Sequence, residues 1–180
     1  MTRLITPDDA PVLAELLSVN REFLAGSGPD HDERYFTVDG QRDAIKTALA
    51  QHAQGAALPH VMLDGLEGGK PERIVGRITL SSIQRGMFQS CNLGYWVSAA
   101  DNGRGLATAA VAEIIGIAFS QLGLHRIEAG TLLDNVGSQR VLERNGFVRF
   151  GVAPQYLYMG GRWQDHALYH LIRPDPDPQT

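Results

Sequence analysis

The feature that most constrains this chain is an apolar strand that leads through a glycine-punctuated turn into a long apolar helix. The predicted strand covers residues 93–97, and the turn contains Gly103 and Gly105 just before Leu106. The first N–H groups of a helix have no intrahelical partner, and with the helix dipole they form a seat for an anion such as a phosphate. Because a glycine has no Cβ, its backbone can approach a ligand closely. The turn therefore predicts a binding site for a phosphorylated cofactor.

Two familiar phosphate-binding loops fit this turn poorly. A P-loop requires a Lys-Ser or Lys-Thr pair after its last glycine, and the residues after Gly105 include no such pair. The dinucleotide pattern fits better, because Gly103-x-Gly105-x-x-Thr108 lacks only its third glycine. However, that turn should follow its strand at once and open a strand–helix–strand unit. Several residues separate Val97 from Gly103 and the preceding segments are typical of antiparallel strands, which disfavours a dinucleotide site.

Composition narrows the class of protein. A chain of 180 residues is most simply one domain with a substantial core. The net charge of −4 argues against a nucleic-acid-binding surface. A single cysteine, Cys91, excludes an intramolecular disulfide and fits a reducing compartment. Because the sequence shows neither an apolar signal segment nor a run of membrane-spanning length, we expect a soluble cytoplasmic protein with no nucleic-acid or membrane partner and no metal.

Periodicity and turn residues predict alternating strands and helices. The first helix is predicted from a capping box formed by Thr6 and Asp9. Its buried face is predicted to hold Val12, Leu13, Leu16 and Leu17. Residues 20–40 are expected to form a long irregular loop. Strands are predicted at 3–5, 60–63, 73–82, 88–97, 126–132 and 147–152, a hairpin at 158–163, turns at 65–69 and 84–86, and further helices at 41–54, from 106 onward and at 138–144. We expect one domain over 1–173 and a disordered Pro/Asp tail over 174–180.

Three motifs resemble a known family. Asn102-x-x-Gly105-x-Ala107 resembles the pyrophosphate loop of the GNAT N-acetyltransferase superfamily, usually written Gln/Arg-x-x-Gly-x-Gly/Ala. The series Asn-x-x-Ser at 135–138 followed by Asn-Gly-Phe at 145–147 resembles the signature of the RimJ/RimL-like branch, which acetylates the N-termini of ribosomal proteins. Residues 156–166 resemble the closing hairpin of that branch. The resemblance extends from about Leu4 to Arg173, although Asn102 departs from the usual Gln or Arg.

The resemblance implies a fold and a cofactor. The fold is α/β (α+β), with a mixed and mostly antiparallel central sheet of about seven strands, a splay between the two central strands, and flanking helices. The implied cofactor is acetyl-CoA. The implied cofactor-binding residues are Tyr95, Trp96, Val97, Asn102, Gly103, Arg104, Gly105, Leu106, Ala107, Thr108, Asn135 and Ser138. In this fold, residues 20–40 would overhang the acceptor site, where they either grip the substrate or are simply mobile.

Ser138 is the candidate general acid. In RimJ/RimL-like enzymes the serine of Asn-x-x-Ser lies where other members of the superfamily place a tyrosine, near the coenzyme A sulfur. A hydroxyl can donate one proton and be resupplied by water. The alternative is that Ser138 merely caps the short helix after Asn135, and both roles together also remain open.

The sequence offers no carboxylate as a general base on the strand before the turn, because none lies between Glu72 and Asp101. Several relatives carry a glutamate on the strand that enters the splay, and Asn92 stands in the corresponding stretch, where it cannot act as a base. A relayed water could suffice, because an α-amino group has a reference pKa of about 7.7–8.0. Glu22 and His166 are possible assistants, although His166 could instead be a packed residue satisfied by Asp165. The substrate candidates are Glu22, Asn92, Tyr156 and His166.

The mechanism expected from the resemblance is direct transfer in a ternary complex. Cys91 has no neighbouring His or acid in sequence to activate its thiol, which disfavours an acyl-cysteine intermediate. The expected acceptor is the N-terminal α-amino group of a protein, of the ribosomal type. Two alternatives remain: acetylation of a small amine such as an antibiotic or a polyamine, and a non-catalytic acyl-CoA sensor. The protein is expected to be a monomer or a homodimer.

Overall fold

Seven strands form one mixed sheet in the residues that the computed structural model describes, which are 1–26, 28–65 and 72–174. The strands are β1 (Thr2–Leu4), β2 (Leu58–Asp64), β3 (Arg73–Gln84), β4 (Ser90–Val97), β5 (Arg126–Leu132), β6 (Val148–Met159) and β7 (Arg162–Ile172). Their order in the sheet is β1-β2-β3-β4-β5-β7-β6. All neighbouring pairs are antiparallel except β4 and β5, which are parallel. This arrangement confirms the predicted mixed, mostly antiparallel sheet.

Helices cover both faces of the sheet. They are α1 (Ala10–Val19), α2 (Arg21–Leu24), α3 (Val38–Ala53), α4 (Leu106–Gly116) and α5 (Val136–Arg144). Short 3₁₀ turns precede α1, α3 and α4, and α4 continues into a π-helical turn at Ile117–Gln121. The predicted capping box is present before α1, where Asp9 Oδ2 accepts a hydrogen bond from Thr6 N at 2.7 Å. No helix within the described ranges is both long and apolar enough to cross a membrane.

The two central strands separate after a short shared ladder. β4 and β5 pair only through Ser90, Cys91 and Asn92, whose partners are Arg126, Ile127 and Glu128. Beyond that point β4 stays paired with β3 as far as Val97, and β5 stays paired with β7 as far as Leu132. Main-chain groups on the gap side of each strand therefore lack a strand partner over the last half of β4 and β5. This wedge is the splay that the sequence resemblance implied.

Two hydrophobic clusters hold the helices to the sheet. On one face α4 and α5 bury Ile114 and Leu142 against sheet residues that include Ile127. On the other face α1 and α3 bury Leu13 and Ile45 against the sheet. Burying a side chain of this size stabilises a fold by about 1.5–3 kcal/mol. The cluster under α4 and α5 contains residues of both β4 and β5, such as Leu93 and Ile127, so it holds together the two strands that separate at the gap.

The segment 20–40 is more regular than predicted. It contains α2 and the 3₁₀ turn Glu33–Phe36, and α3 begins at Val38 instead of near residue 41. Short side-chain caps explain the difference: Asp32 Oδ1 accepts from Tyr35 N at 3.1 Å, and Thr37 Oγ1 accepts from Gly40 N at 3.1 Å. Caps of this kind leave no hydrophobic period, so the periodicity argument could not detect them.

Two further predictions need correction. Val12 is 42% exposed and does not belong to the buried face of α1, which is built from Ala10, Leu13, Ala14 and Leu17. The strand predicted to end at residue 152 instead continues as β6 to Met159, through an irregularity between Ala153 and Leu157. In this irregularity Gln155 N donates to Asp165 Oδ1 at 2.8 Å. Most of the predicted turn at 65–69 and of the tail at 174–180 lies at 66–71 and 175–180, outside the described residues.

We predict that Gly76→Ala destabilises the protein and that Gly94→Ala does not. A Cβ at Gly76 would lie 2.1 Å from the Trp96 carbonyl oxygen, whereas a Cβ at Gly94 meets nothing within 4 Å. Overpacking of this kind costs about 1–3 kcal/mol, while alanine is favoured over glycine within a strand. Urea denaturation of both variants measures the difference. Equal unfolding free energies for the two variants would contradict the close contact between β3 and β4.

Candidate active site

A cavity of about 740 Å³ lies along the gap between β4 and β5. On the α5 side of the sheet its wall includes Tyr95 and Ser138, and on the α1 side it includes Arg77, Trp96 and Tyr35. The wall therefore takes residues from both faces of the sheet. Two molecules could enter such a passage from opposite sides and meet in the gap.

Ser138 and Tyr95 form a hydroxyl pair in this cavity. Tyr95 Oη lies 2.9 Å from Ser138 Oγ and also donates to the Ser138 carbonyl oxygen at 3.2 Å. Burial raises the pKa of the Tyr95 phenol to about 12, opposed by the hydrogen bond to Ser138. The phenol therefore keeps its proton at neutral pH. When Tyr95 donates to the carbonyl, the Ser138 hydroxyl is free to donate elsewhere.

The cap of α5 is Asn135 and not Ser138. Asn135 Oδ1 accepts a hydrogen bond from Ser138 N at 3.0 Å, which satisfies a free amide in the first helical turn. The alternative prediction that the Ser138 side chain caps the helix is therefore wrong. The Ser138 hydroxyl is not used by the helix, and the cap fixes the residue that carries it.

His166 is placed in the cavity wall with one ring nitrogen available. The ring is buried, and its Nδ1 lies 3.1 Å from the Gln164 carbonyl oxygen. A carbonyl oxygen can only accept, so Nδ1 carries the proton and Nε2 of the neutral ring is left as an acceptor. The expectation that Asp165 satisfies this ring is therefore wrong. Asp165 instead accepts from the main chain at Gln155.

Described residues of the segment between α1 and α3 line the α1 side of the cavity. Its wall residues include Arg21, Asp30 and Tyr35, as expected for a segment that overhangs the site. Asp30 accepts hydrogen bonds from Gly160 N at 3.2 Å and Gly161 N at 3.3 Å, which join this segment to the turn between β6 and β7. These two hydrogen bonds therefore connect the segment between α1 and α3 to the β6–β7 turn.

A separate tie links this segment to the end of β4. The Asn20 side chain is buried, and its Oδ1 accepts from Ala99 N at 2.7 Å while its Nδ2 donates to the Leu16 carbonyl at 2.7 Å. Asn20 also contacts the Ser98 hydroxyl. The junction of α1 and α2 is thereby fixed to the chain that leads into α4.

The turn before α4 presents a row of free amides. The N–H groups of residues 103–108 donate to no described residue, and the first bond of the helix runs from Ala109 N to the Gly105 carbonyl at 3.0 Å. Gly103 and Gly105 have φ values of 76° and 81°, a left-handed conformation that favours glycine. A Cβ at either glycine would meet nothing within 4 Å, so it would project into open space. These residues fit a pyrophosphate group, because their N–H groups are unpaired among the described residues and the start of α4 adds the positive end of the helix dipole.

Ion pairs around one buried carboxylate hold this turn in place. Asp101 is 3% exposed and accepts a hydrogen bond from Arg73 Nη1 at 2.9 Å and one from Arg104 Nη1 at 2.8 Å. Arg104 also pairs with Asp64 at 2.7 Å. The hydrogen bond from Arg73 is the main reason that the pKa of Asp101 lies below its usual value. Two arginines therefore neutralise a carboxylate that would otherwise repel a phosphate at the turn.

Other predicted residues lie away from the cavity wall. Glu22 and Asn92 are exposed and do not line the cavity, and Val97 is buried in the core. Tyr156 stands just behind the wall, with its ring centroid 5.5 Å from that of His166. Cys91 is buried, and burial raises the pKa of its thiol to about 12. A thiol in this state is a poor nucleophile.

Sequence reasoning missed three features of the site. It placed Tyr95 only as a main-chain contact, and it overlooked Arg77 and Asp30. Arg77 left a signal, because a charged residue within the apolar stretch 74–80 is costly to bury without a purpose. Asp30 left none, because its partners lie about 130 residues away in the chain.

Comparison with known proteins agrees with this architecture. Residues 1–148 match the acetyltransferase (GNAT) domain family. The chain is 33% identical to the [Ribosomal protein uS5]-alanine N-acetyltransferase of Escherichia coli (strain K12) over 178 residues, which cover 99% of this chain and 90% of the relative.

Two solved structures share the whole fold. The ribosomal-protein-S5-alanine acetyltransferase from Vibrio fischeri is 33% identical, with a TM-score of 0.89 over 98% of this chain and 94% of that one. Mycobacterium smegmatis RimJ in complex with CoA-disulfide is 29% identical, with a TM-score of 0.88 over 95% of this chain and 80% of that one.

We predict that Asp101→Asn lowers stability in a pH-dependent way. Removing the charge takes away one of the two carboxylates that Arg73 and Arg104 share and leaves Asp64, so we expect a loss of about 0.5–1.5 kcal/mol. Because the pKa of Asp101 is lower in the folded protein, its contribution is fully present above the unfolded pKa of about 3.9 and is lost as the pH falls through the folded value. Unfolding curves of wild type and variant should therefore differ at pH 7 and converge below about pH 4. Asp43→Asn, which affects an exposed pair with Arg34, is the matched control and should change little. A constant difference at every pH would contradict this role.

Proposed function

The chain belongs to the GNAT acetyltransferase family, in its RimJ/RimL-like branch, and from this premise we propose that it transfers an acetyl group from acetyl-CoA to the N-terminal α-amino group of a ribosomal protein. The chain is an N-acetyltransferase, and the proposal concerns its donor, its acceptor and its mechanism. The observation that carries it is the row of free amides before α4, next to a strand gap that opens a passage through the sheet. Ribosomal proteins are made in the cytoplasm, so we place the activity there.

The donor site follows from the free amides. The N–H groups of residues 103–108 would hold the pyrophosphate of coenzyme A, and the main chain of Tyr95 and Trp96 would hold its arm along the gap. Acetyl-CoA, when bound, supplies an acetyl thioester that an amine can attack. The complex of the related RimJ with CoA-disulfide supports coenzyme A over other phosphorylated cofactors.

The gap also offers a hydrogen-bond donor for the reaction. Main-chain N–H groups of β4 that face β5 have no strand partner beyond Asn92 in the part of the chain that the structure describes. One of them would donate to a carbonyl oxygen in the gap, as in an oxyanion hole. A single such donor is worth about 2.7–4 kcal/mol in a comparable acyl transfer.

Ser138 would act as the general acid. Its Oγ would give a proton to the leaving sulfur in the cavity, Tyr95 Oη, which lies 2.9 Å away, would replace that proton, and water in the cavity would reprotonate Tyr95. The high pKa of the Tyr95 phenol suits this role, because the phenol is fully protonated at neutral pH. The two hydroxyls therefore act as a short proton relay.

His166 would act as the general base. Its Nε2 is free to take a proton from the acceptor amine, directly or through one water, while the Gln164 carbonyl holds Nδ1. Transfer is then direct, since the buried Cys91 thiol is neither activated nor part of the cavity wall. Glu22 has no place in this mechanism, because it lies on the exposed surface.

An acceptor panel tests the proposal. Release of free thiol from acetyl-CoA is measured with peptides that carry the N-termini of ribosomal proteins, with polyamines and with an aminoglycoside. We expect the rate to rise above hydrolysis with one or more peptides, and mass spectrometry to place the acetyl group on the α-amino group. Acetylation of small amines alone would replace the proposed acceptor. Binding of acetyl-CoA with no acceptor turned over would indicate an acyl-CoA sensor.

We predict that Ser138→Ala lowers kcat tenfold or more, which corresponds to about 1.4 kcal/mol in the barrier. The Asn135 cap accepts from the main chain of residue 138, so the substitution leaves the helix intact. The affinity for acetyl-CoA should change little. Ser120→Ala, which removes an exposed hydroxyl at the end of α4, is the control and should keep full activity. An unchanged kcat in Ser138→Ala would exclude the relay.

A further inference from the structure

Arg77 is an arginine in the cavity wall without an anionic partner. Its side chain lines the acceptor side of the cavity, yet it forms no ion pair and no hydrogen bond with any residue in the described ranges. Of the ionisable groups around it, only the Tyr35 phenol favours its charge. The cation is therefore uncompensated.

The arginines compared with Arg77 either have anionic partners or are exposed to water. Arg21, which also lines the cavity, pairs with Glu33 and lies 4.3 Å above the Phe36 ring centroid. Arg104 pairs with two carboxylates beside the turn before α4. Arg149 forms no ion pair within the described ranges, but it lies exposed to water, where an unpaired charge costs little. Arg77 differs from these residues because it is partly buried and has no anionic partner among the described residues.

Because the Arg77 guanidinium has lost part of its contact with water, an anion bound to it would be stabilising. Loss of solvent lowers the pKa of its guanidinium, although the group stays charged. A cation that has lost part of its water gains most from a hydrogen-bonded anion at close range. The planar guanidinium matches a carboxylate, since two parallel N–H groups meet its two oxygens.

The strand register places Arg77 close to the gap between β4 and β5. Arg77 pairs with Trp96 on β4, and Thr79, two residues along, pairs with Gly94 at the gap. Side chains of paired residues in antiparallel strands lie on the same face of the sheet. Arg77 therefore stands on the acceptor face, roughly 7 Å along β3 from the residue opposite Gly94.

We propose that Arg77 binds a carboxylate of the acceptor, so that the enzyme selects amines that carry a carboxylate close to the reacting nitrogen. This assignment rests on the proposed acetyl transfer and specifies its acceptor. An acidic side chain in the first residues of a peptide and the α-carboxylate of a free amino acid share this chemistry. Polyamines are disfavoured, because an uncompensated cation in the cavity repels them.

The test compares matched peptides with N-terminal alanine that carry Asp or Asn at the second or third position, together with free amino acids. We expect wild type to show at least a tenfold higher kcat/KM for an Asp peptide than for its Asn counterpart. Arg77→Gln should reduce that ratio to about one, and Arg77→Lys should retain part of it. Arg149→Gln, the exposed control, should keep the full ratio. Preference for a free amino acid over every Asp peptide would assign the carboxylate to the acceptor's own α-carboxyl group.

Two results would overturn the assignment: equal kcat/KM for Asp and Asn peptides in wild type, or an unchanged ratio in Arg77→Gln. Calorimetric titration of the same peptides in the presence of coenzyme A separates this inference from the proposed function. If no amine is acetylated but Asp peptides still bind more tightly than Asn peptides in an Arg77-dependent manner, the carboxylate site stands without the transferase activity. Thermal unfolding of each variant verifies that it is folded.

Discussion

The early end of the pairing between β4 and β5 is the constraint on which the rest of the site depends. Three paired residues hold the strands together at one end, and antiparallel partners on the outer side of each strand let them separate at the other. The open end exposes main-chain donors, admits a cavity through the sheet, and directs β4 into the turn before α4. A full ladder would satisfy those donors and close the cavity. The sheet thus lacks main-chain hydrogen bonds at the place where we propose that acetyl transfer occurs.

Charged side chains have partners on one side of this opening but not on the other. At the donor side, Asp101 is neutralised by Arg73 and Arg104, which leaves the free amides as the dominant field around the turn. At the acceptor side, Arg77 keeps an unmatched positive charge in the cavity wall. The first arrangement fixes a backbone in the shape that an anion requires. The second leaves a cation without an anionic partner among the described residues, and this is the basis of the proposed selection of the acceptor.

Local patterns predicted the strands, the glycine turn and the helix after it, because each leaves a periodic or conformational signal within a few residues. The apolar sequence of that helix also predicted burial on nearly all sides, but only the face with Ala110, Val111 and Ile114 is buried. The splay and the pair of Asn135 with Ser138 came from the family resemblance. The features that sequence reasoning missed depend on long-range contacts: Tyr95 meets Ser138 across 43 residues, and Asp30 meets the β6–β7 turn across about 130. The predicted partner of His166 was wrong because the ring bonds to the main-chain carbonyl of Gln164 and not to the Asp165 side chain. Every residue has a main-chain carbonyl. Such main-chain partners have no sequence signature.

The most direct test of the account is a calorimetric titration of coenzyme A into wild type, Gly105→Ala and Gly123→Ala. Both glycines have positive φ values, 81° and 64°, and a Cβ at either meets nothing within 4 Å, so the two substitutions impose similar backbone strain. Only Gly105 belongs to the row of free amides. The account predicts equal binding by wild type and Gly123→Ala, and binding at least tenfold weaker in Gly105→Ala. No binding by wild type, or equal binding by all three proteins, would contradict it.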